Sequence, residues 1–195
     1  MRNGITIPQG SQQGEPPICC DLSVMILTAK YSQEIFQLAN LLPNLVRRSM
    51  SYLSLHYHLI FATKYREPTI AVEWRERLHE YLGGTILGLD GLPLGVGGVA
   101  DHVHLLVTLK STHKLCDVLR ELKKAASSWV HREVGLADFA WQERYAAFTV
   151  SPPGRKGVQG YIARQEEHHR TISSRDELVE LLRKAEVVYD ETYFE

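Results

Sequence analysis

Cysteine is scarce. Only Cys19, Cys20 and Cys116 carry a thiol among 195 residues. Two of the three are adjacent, so no dense disulfide framework is available, and the pattern points to a reducing, cytoplasmic setting. Long apolar runs are missing as well. Nothing approaches the roughly 18 consecutive apolar residues of a spanning helix, so no membrane partner is expected. Residues 1–17 lack the apolar core of a signal peptide, and the run at 24–27 is too short for one. A charge excess is also missing: 22 Lys and Arg offset 23 Asp and Glu, leaving a net charge of −1. Any nucleic-acid site must therefore be a local patch. What remains is a globular composition, 44 % hydrophobic and 23 % charged, in a length that suits one domain with a core of its own.

The chain changes character near Met50. Residues 1–49 begin with a stretch rich in Gly, Gln, Pro and Ser that has little to bury, and Pro43 breaks the weak helical pattern that follows. Two readings are open: a poorly structured N-terminal extension, or a mis-called start with Met50 as the true first residue. Residues 50–195 form the expected domain. Apolar residues alternate over 53–62, placing Leu53, Leu55, Tyr57, Leu59 and Phe61 on one strand face. A helix over 69–87 follows Pro68, with Trp74, Leu78, Tyr81 and Leu82 at helical spacing. Strands are expected at 92–99 and 103–109, joined by a turn at 97–101. A long helix over 114–134 ends at Gly135, and a strand covers 145–151. Pro152, Pro153 and Gly154 then break the chain before a helix over 156–167. Ser174 and Glu177 have the spacing of a capping box for a last helix to about residue 186. The order β-α-β-β-α-β followed by two helices is that of an α+β, ferredoxin-like split β-α-β sandwich. It has an antiparallel sheet with helices on one face and a C-terminal helix that bears a tyrosine.

The sharpest chemical feature is Asp101-His102-Val103-His104 within the third strand. Residues two apart on a strand share a face, so both imidazoles project together while Val103, Leu105 and Val107 point into the core. Two imidazoles are good ligands for a divalent cation but make an incomplete site. A bare pair of this kind is more often two edge histidines. A second pair, His56 and His58, has the same geometry on the first strand; if the two strands are neighbours, His58 lies near the site. The second feature is the helix carrying Tyr161, Gln165 and His168, which share one face. Beside a two-histidine metal site these gain a mechanism. Gln165 offers a carbonyl oxygen to the cation, and the Tyr161 phenol is aimed at a phosphate, where attack yields a covalent phosphotyrosine.

Taken together these residues resemble the insertion-sequence-200-like transposases, the single-tyrosine HUH endonuclease class. The likeness runs from Met50 to about Phe194. It rests on Leu59-Ile60-Phe61-Ala62-Thr63-Lys64-Tyr65-Arg66, on His102-Val103-His104 as the histidine–hydrophobe–histidine motif, on Phe139-Ala140-Trp141-Gln142 and the strand at 147–151. Its last part is Tyr161-Ile162-x-x-Gln165-x-Glu167-His168-His169-Arg170. The resemblance implies an enzyme that cuts and rejoins single-stranded DNA at element ends marked by hairpins. It makes Tyr161 the catalytic nucleophile, linked to the 5′ phosphate and freeing a 3′ hydroxyl. It places Mg2+ or Mn2+ on His102, His104 and Gln165, and it implies a homodimer. The N-terminal 49 residues depart from the family pattern.

Lys64, Arg66, Lys123, Lys124, Arg155, Lys156 and Arg164 are candidate DNA-phosphate contacts as a group, although singly each reads as a solvated charge. Trp141, Tyr145 and Phe148 suit base stacking, but packing is the better explanation. Glu166 and Glu167 are candidates for the metal shell, with at least one expected to be a solvated charge. The alternative function is a catalytically silent or domesticated single-stranded nucleic-acid-binding protein of the same fold. Retention of Tyr161, both histidines and Gln165 argues against it. A zinc hydrolase is disfavoured by the lack of an H-E-x-x-H helix. Because residues 1–49 have little to bury, a chain starting at Met50 is expected to melt within about 5 °C of the full chain, roughly 1 kcal/mol for a domain of this size; a larger drop in thermal unfolding would mean that the extension packs on the domain.

Overall fold

Alternation within two short strands organises the molecule. The computed structural model describes residues 52–190 and 192; the extension at 1–49, the boundary at Met50, Cys19, Cys20 and the last three residues lie outside that range. β1 (His56–Ala62), β2 (Leu92–Gly98), β3 (His102–Thr108) and β4 (Ala146–Thr149) form one sheet in the order β2-β3-β1-β4, with every pairing antiparallel. The two central strands pair Leu59 with Leu105, Phe61 with Val103, and Tyr57 with Val107. Directly opposed residues share a face, so this register makes one face almost wholly apolar.

Two helices cover that face. α1 (Val72–Gly88) buries Trp74, Leu78, Leu82 and Ile86, and α2 (Leu115–Trp129) buries Val118, Leu119, Leu122, Ala126 and Trp129. These side chains join Leu59, Phe61, Val103, Leu105 and Val107 in one cluster, where each buried large apolar side chain contributes roughly 1.5–3 kcal/mol. A π-helical turn, Val130–Val134, ends at Gly135, whose φ of 81° closes the helix in the left-handed region. The ferredoxin-like sandwich expected from the element order is the fold observed.

The opposite face carries the C-terminal helices: α3 (Arg155–Ala163), α4 (Gln165–His168) and α5 (Ser174–Lys184). Here the structure refines three expectations. β1 begins at His56, so Leu53 and Leu55 precede the strand. The single helix expected over 156–167 is two helices, broken at Arg164, whose φ of −108° and ψ of 21° leave the helical region. The last helix is capped one residue earlier than expected. Ser173 is the N-cap and accepts from the Asp176 amide at 3.1 Å, which releases Ser174 and Glu177 for other contacts. Among the described residues no helix is long and apolar enough to cross a membrane.

His79 on α1 provides a test of this packing. Its Nε2 is shut off from solvent without a hydrogen-bond partner. Burial, then the neighbouring Arg75 charge, lowers its pKa from 6.5 to about 4. A depressed folded-state pKa means that the unfolded chain takes the proton first. The contribution to stability is present above pH 6.5 and is lost as pH falls toward 4, at roughly 1.4 kcal/mol per unit. Melting temperatures between pH 7 and 4.5 should fall less steeply for His79→Gln than for the parent chain, and parallel curves would refute the assignment.

Candidate active site

The sheet face turned away from the core is lined by His58, Ile60 and Ala62 on β1, opposite Leu106, His104 and His102 on β3. The same alternation that drives Val103 and Leu105 into the core lifts both histidines to this face, where they are 1 % and 0 % exposed. Their outer nitrogens are tied down. His102 Nδ1 lies 2.7 Å from Asp101 Oδ1, and His104 Nδ1 lies 2.9 Å from His58 Nε2. The two Nε2 atoms are buried and make no aligned hydrogen bond.

The two histidine pairs therefore separate. His56 turns to Thr108 at 2.7 Å and Ser54 at 3.1 Å, away from the centre. His58, diagonal to His104, sets the orientation of that ring. Burial, then the His104 ring beside it, lowers the His58 pKa to about 3, so it is a neutral partner.

α3 and α4 lay their residues over this face. Gly97, opposite His104 in the β2–β3 pairing, makes this possible. A Cβ at Gly97 would stand 2.7 Å from the Ile162 carbonyl oxygen and 2.8 Å from its Cγ2, so the missing side chain lets the tyrosine-bearing helix approach the sheet. Tyr161 and Gln165, although on either side of the break at Arg164, both reach Glu177. The Tyr161 hydroxyl donates to Glu177 Oε1 in a short contact, and Gln165 Nε2 donates to the same oxygen at 2.9 Å. Gln165 is 2 % exposed. His168 Nε2 lies 3.4 Å from the Tyr161 hydroxyl.

Glu177 and His169 are the residues that sequence reasoning missed. Glu177 carries its carboxylate from α5 into the centre of the face, where Oε2 lies 3.3 Å from His102 Nε2, 3.3 Å from His104 Nε2 and 3.2 Å from His169 Nε2. The capping-box spacing hid it; the only signal was its place one turn after Ser174. That serine donates to Asp101 Oδ2 at 2.6 Å and accepts from Arg66 at 3.1 Å, pinning the start of α5 over the start of β3. Tyr65 and Arg66, both at positive φ (57° and 54°), turn the chain so that the guanidinium reaches this point.

The electrostatics follow from these contacts. Burial opposes ionisation of Glu177, but its close contacts with His102, His104 and His169 prevail and hold its carboxyl far below the usual range. Burial likewise opposes protonation of His102, yet Asp101 and Glu177 push it up to about 9. Burial lowers His104 to about 4. Burial and the Glu177 carboxylate together push the Tyr161 phenol above its ordinary value. One ligand atom from each of His102, His104, His169 and Glu177 lies within 4.8 Å of the others. Inward-facing, unpartnered imidazole nitrogens beside a carboxylate are the donor set a divalent cation takes, so the residues fit such an ion.

The remaining expected residues divide. Arg66 stands beside the centre, while Arg155 and Lys156 open α3 and Arg164 marks its end. Lys64 is exposed on the loop after β1. Lys123 and Lys124 sit on α2, across the sheet. Lys123 donates to the carbonyls of Gln142 (2.7 Å), Glu143 (3.2 Å) and Arg144 (2.8 Å), which uses all three ammonium protons. It ties a loop, so its ammonium is engaged within the protein rather than presented beside the histidines. Glu166 pairs with Arg75 at 2.8 Å on the surface and Glu167 is exposed, so neither joins the cluster. Trp141 is buried against Phe61 and Phe139.

A buried strand pair of histidines, a tyrosine and a glutamine thus meet at one point of an α+β sandwich, and the family of the chain follows from comparison with known proteins. The family model "Transposase IS200 like" matches residues 51–165; the chain belongs to that family. The ISDra2 transposase TnpA of Deinococcus radiodurans is 28 % identical over 134 residues, which cover 64 % of this chain and 94 % of that protein. A solved Deinococcus radiodurans structure described as a transposase is 26 % identical, covering 62 % of this chain and 98 % of that one, with a TM-score of 0.49. A REP-associated tyrosine transposase bound to a REP hairpin is 14 % identical, with coverage of 65 % and 76 % and a TM-score of 0.48.

Because Gly97 sets how closely α3 lies to the sheet, Gly97→Ala should cost about 1–3 kcal/mol through forced displacement of the helix. Thermal unfolding measures this directly; an unchanged melting temperature would show that Gly97 does not govern the approach.

Proposed function

We propose that this transposase cuts and rejoins single-stranded DNA through a covalent phosphotyrosine at Tyr161. The observation that carries the reading is the meeting of the Tyr161 hydroxyl and Gln165 with one carboxylate oxygen, while the other oxygen of that carboxylate faces the His102 and His104 nitrogens. Nucleophile and electrophile-binding groups are thereby held within one buried cluster, the arrangement that converts encounter into reaction.

The chemistry is an exchange of phosphodiesters. The Tyr161 oxygen attacks phosphorus, the bond from phosphorus to the leaving 3′ oxygen breaks, and the phenolic proton balances the 3′ hydroxyl that departs. One phosphodiester is lost and one phosphotyrosine diester is made, so a second 3′ hydroxyl can reverse the step and rejoin DNA without an outside energy source. His102 and His104, with the Gln165 carbonyl oxygen, would hold a divalent cation, Mg2+ or Mn2+, which would supply charge neutralisation at the non-bridging oxygens. Asp101 and His58 fix the two imidazoles so that their Nε2 atoms face inward. His168 and Gln165 hold the phenol side of the site, and α3 to α5 cover it against water.

Room for the DNA lies next to these groups. A cavity of about 570 Å3 runs from His102 and Glu177 between the sheet and α5, with Arg66, Arg144, Tyr145 and Phe148 in its walls. Its apolar sides and cationic groups suit an unstacked nucleoside and its phosphate. Arg155, Lys156 and Arg164 extend positive charge along the tyrosine helix, and Lys64 adds to it from the loop after β1. The hairpin at an element end is the substrate we assign. A homodimer is part of the same reading: β2 and β4 are the outer strands of the sheet, and an outer strand is open to pairing with a second copy.

Tyr161→Phe should abolish covalent attachment to single-stranded DNA and leave binding near the parent value, and His102→Ala should stop cleavage as well. The check is a denaturing gel of labelled single-stranded oligonucleotides carrying hairpins, incubated with Mg2+ or Mn2+. A denaturant-resistant adduct that persists in Tyr161→Phe would show that another residue is the nucleophile.

A further inference from the structure

The last helix and the turn before it reach the same centre. His169 and Glu177 lie past the family match, which ends at residue 165, yet both enter the centre. We propose that His169 and Glu177 are cation ligands alongside His102 and His104, forming a nitrogen-rich site that takes Mn2+ in preference to Mg2+ and makes α5 part of the catalytic centre. The inference rests on the metal-assisted reading above and deepens it.

Three geometric facts carry it. First, the donor atoms converge. Glu177 Oε2 is 3.2–3.3 Å from three imidazole nitrogens, and two of those nitrogens have no aligned hydrogen bond, so one carboxylate oxygen is shared among three rings, which is the convergence a single cation requires. Second, every one of the three rings has its other nitrogen held from behind: His102 by Asp101, His104 by His58, and His169 by the Ile172 carbonyl at 2.8 Å. Anchoring of the far nitrogen is the habit of metal-binding histidines, because it fixes the ring and its tautomer. Third, Gln165 Oε1 sits 2.9 Å from His169 Nε2. With His169 Nδ1 committed to a carbonyl, that nitrogen and the amide oxygen face each other as two acceptors unless a cation or a proton lies between them.

The donor set also bears on which ion enters. Mg2+ binds oxygen and retains its water, whereas imidazole nitrogen suits first-row transition ions. Relative to Mg2+, three imidazoles and one carboxylate therefore favour a first-row transition ion, of which Mn2+ is the one the proposed reaction uses. Glu177 has a second consequence. Its Oε1 accepts from Tyr161 while Oε2 faces the histidines, so one side chain sets the position of the nucleophile relative to the ion.

The test is Mn2+ binding by the full chain, followed by calorimetry and by pulsed electron paramagnetic resonance, neither of which needs catalysis. The parent protein should show coupling of Mn2+ to three imidazole nitrogens, falling to two in His169→Ala. Glu177→Gln, which preserves shape, should lose at least about 100-fold in Mn2+ affinity, more than removal of an outer-shell partner costs. Glu166→Gln, altered on the surface, should bind as the parent does, and a tenfold excess of Mg2+ should leave bound Mn2+ in place. Parent-like affinity in Glu177→Gln, or nitrogen coupling unchanged in His169→Ala, would overturn the assignment. If such variants still form the Tyr161 adduct with Mn2+, this inference fails while the proposed function stands. If the parent chain binds no Mn2+, this inference fails; if it forms the adduct with all divalent cations chelated, the metal-assisted reading itself is lost.

Discussion

The antiparallel register between β1 and β3 is the constraint on which the rest depends. Side chains alternate across a strand, so pairing Leu59 with Leu105 and Phe61 with Val103 obliges His104 to lie opposite Ile60 and His102 opposite Ala62 on the other face. A slip of one residue would turn the histidines into the helical core and the aliphatic residues into the site. The apolar packing of α1 and α2 thus does more than stabilise the domain. It selects the register that presents two histidines side by side, where burial strips them of water and their outer nitrogens find fixed partners.

Placing ionisable groups in such a site is costly unless each is answered. A buried carboxylate costs several kcal/mol if left alone. Glu177 is answered by three imidazoles, a phenol and a carboxamide, so its presence orders residues from β3, α3, α4 and α5 around one point. The relay from Arg66 through Ser174 to Asp101 and on to His102 adds a second tie between the same helix and the same strand. Docking of α5 and orientation of the histidines are therefore one event, which makes the C-terminal helix a part of the site rather than an appendage of the sandwich.

Close approach completes the arrangement. Tyr161 reaches the face because Gly97 presents no side chain beneath Ile162. Gln165 reaches it because the chain breaks at Arg164 instead of continuing as one helix. On the far side, Lys123 spends its charge on three carbonyls of the loop that leads into β4, so a cation that looks free in a sequence is a fastening in the fold. The phosphodiester exchange proposed for this site would need such fixed geometry more than driving force, since substrate and product bonds are of the same kind.

Much of this was legible in the amino-acid order, because strand and helix periodicities are local properties of a chain. Alternation at Leu59 to Phe61 and at Val103 to Val107, helical spacing at Leu78 and Leu82, and the Pro-Pro-Gly break specified the elements and their order. Two histidines two apart on a strand, and a tyrosine four before a glutamine, specified which faces would carry chemistry. Which of the two histidine pairs would form the centre was not local. His56 and His58 have the same spacing as His102 and His104; the family resemblance favoured the second pair, and the neighbours met after folding, Thr108 for His56 and Glu177 for His102 and His104, give the physical distinction. Glu177 itself read as a helix cap, since its spacing from Ser174 satisfies that pattern equally well. A shift of one residue in where α5 begins moved the cap to Ser173 and turned the carboxylate inward. Its partners stand on β3 and on the helices before it, far off along the chain, and contacts of that kind are decided by how layers pack, because the chain's own short-range geometry exerts no preference over them.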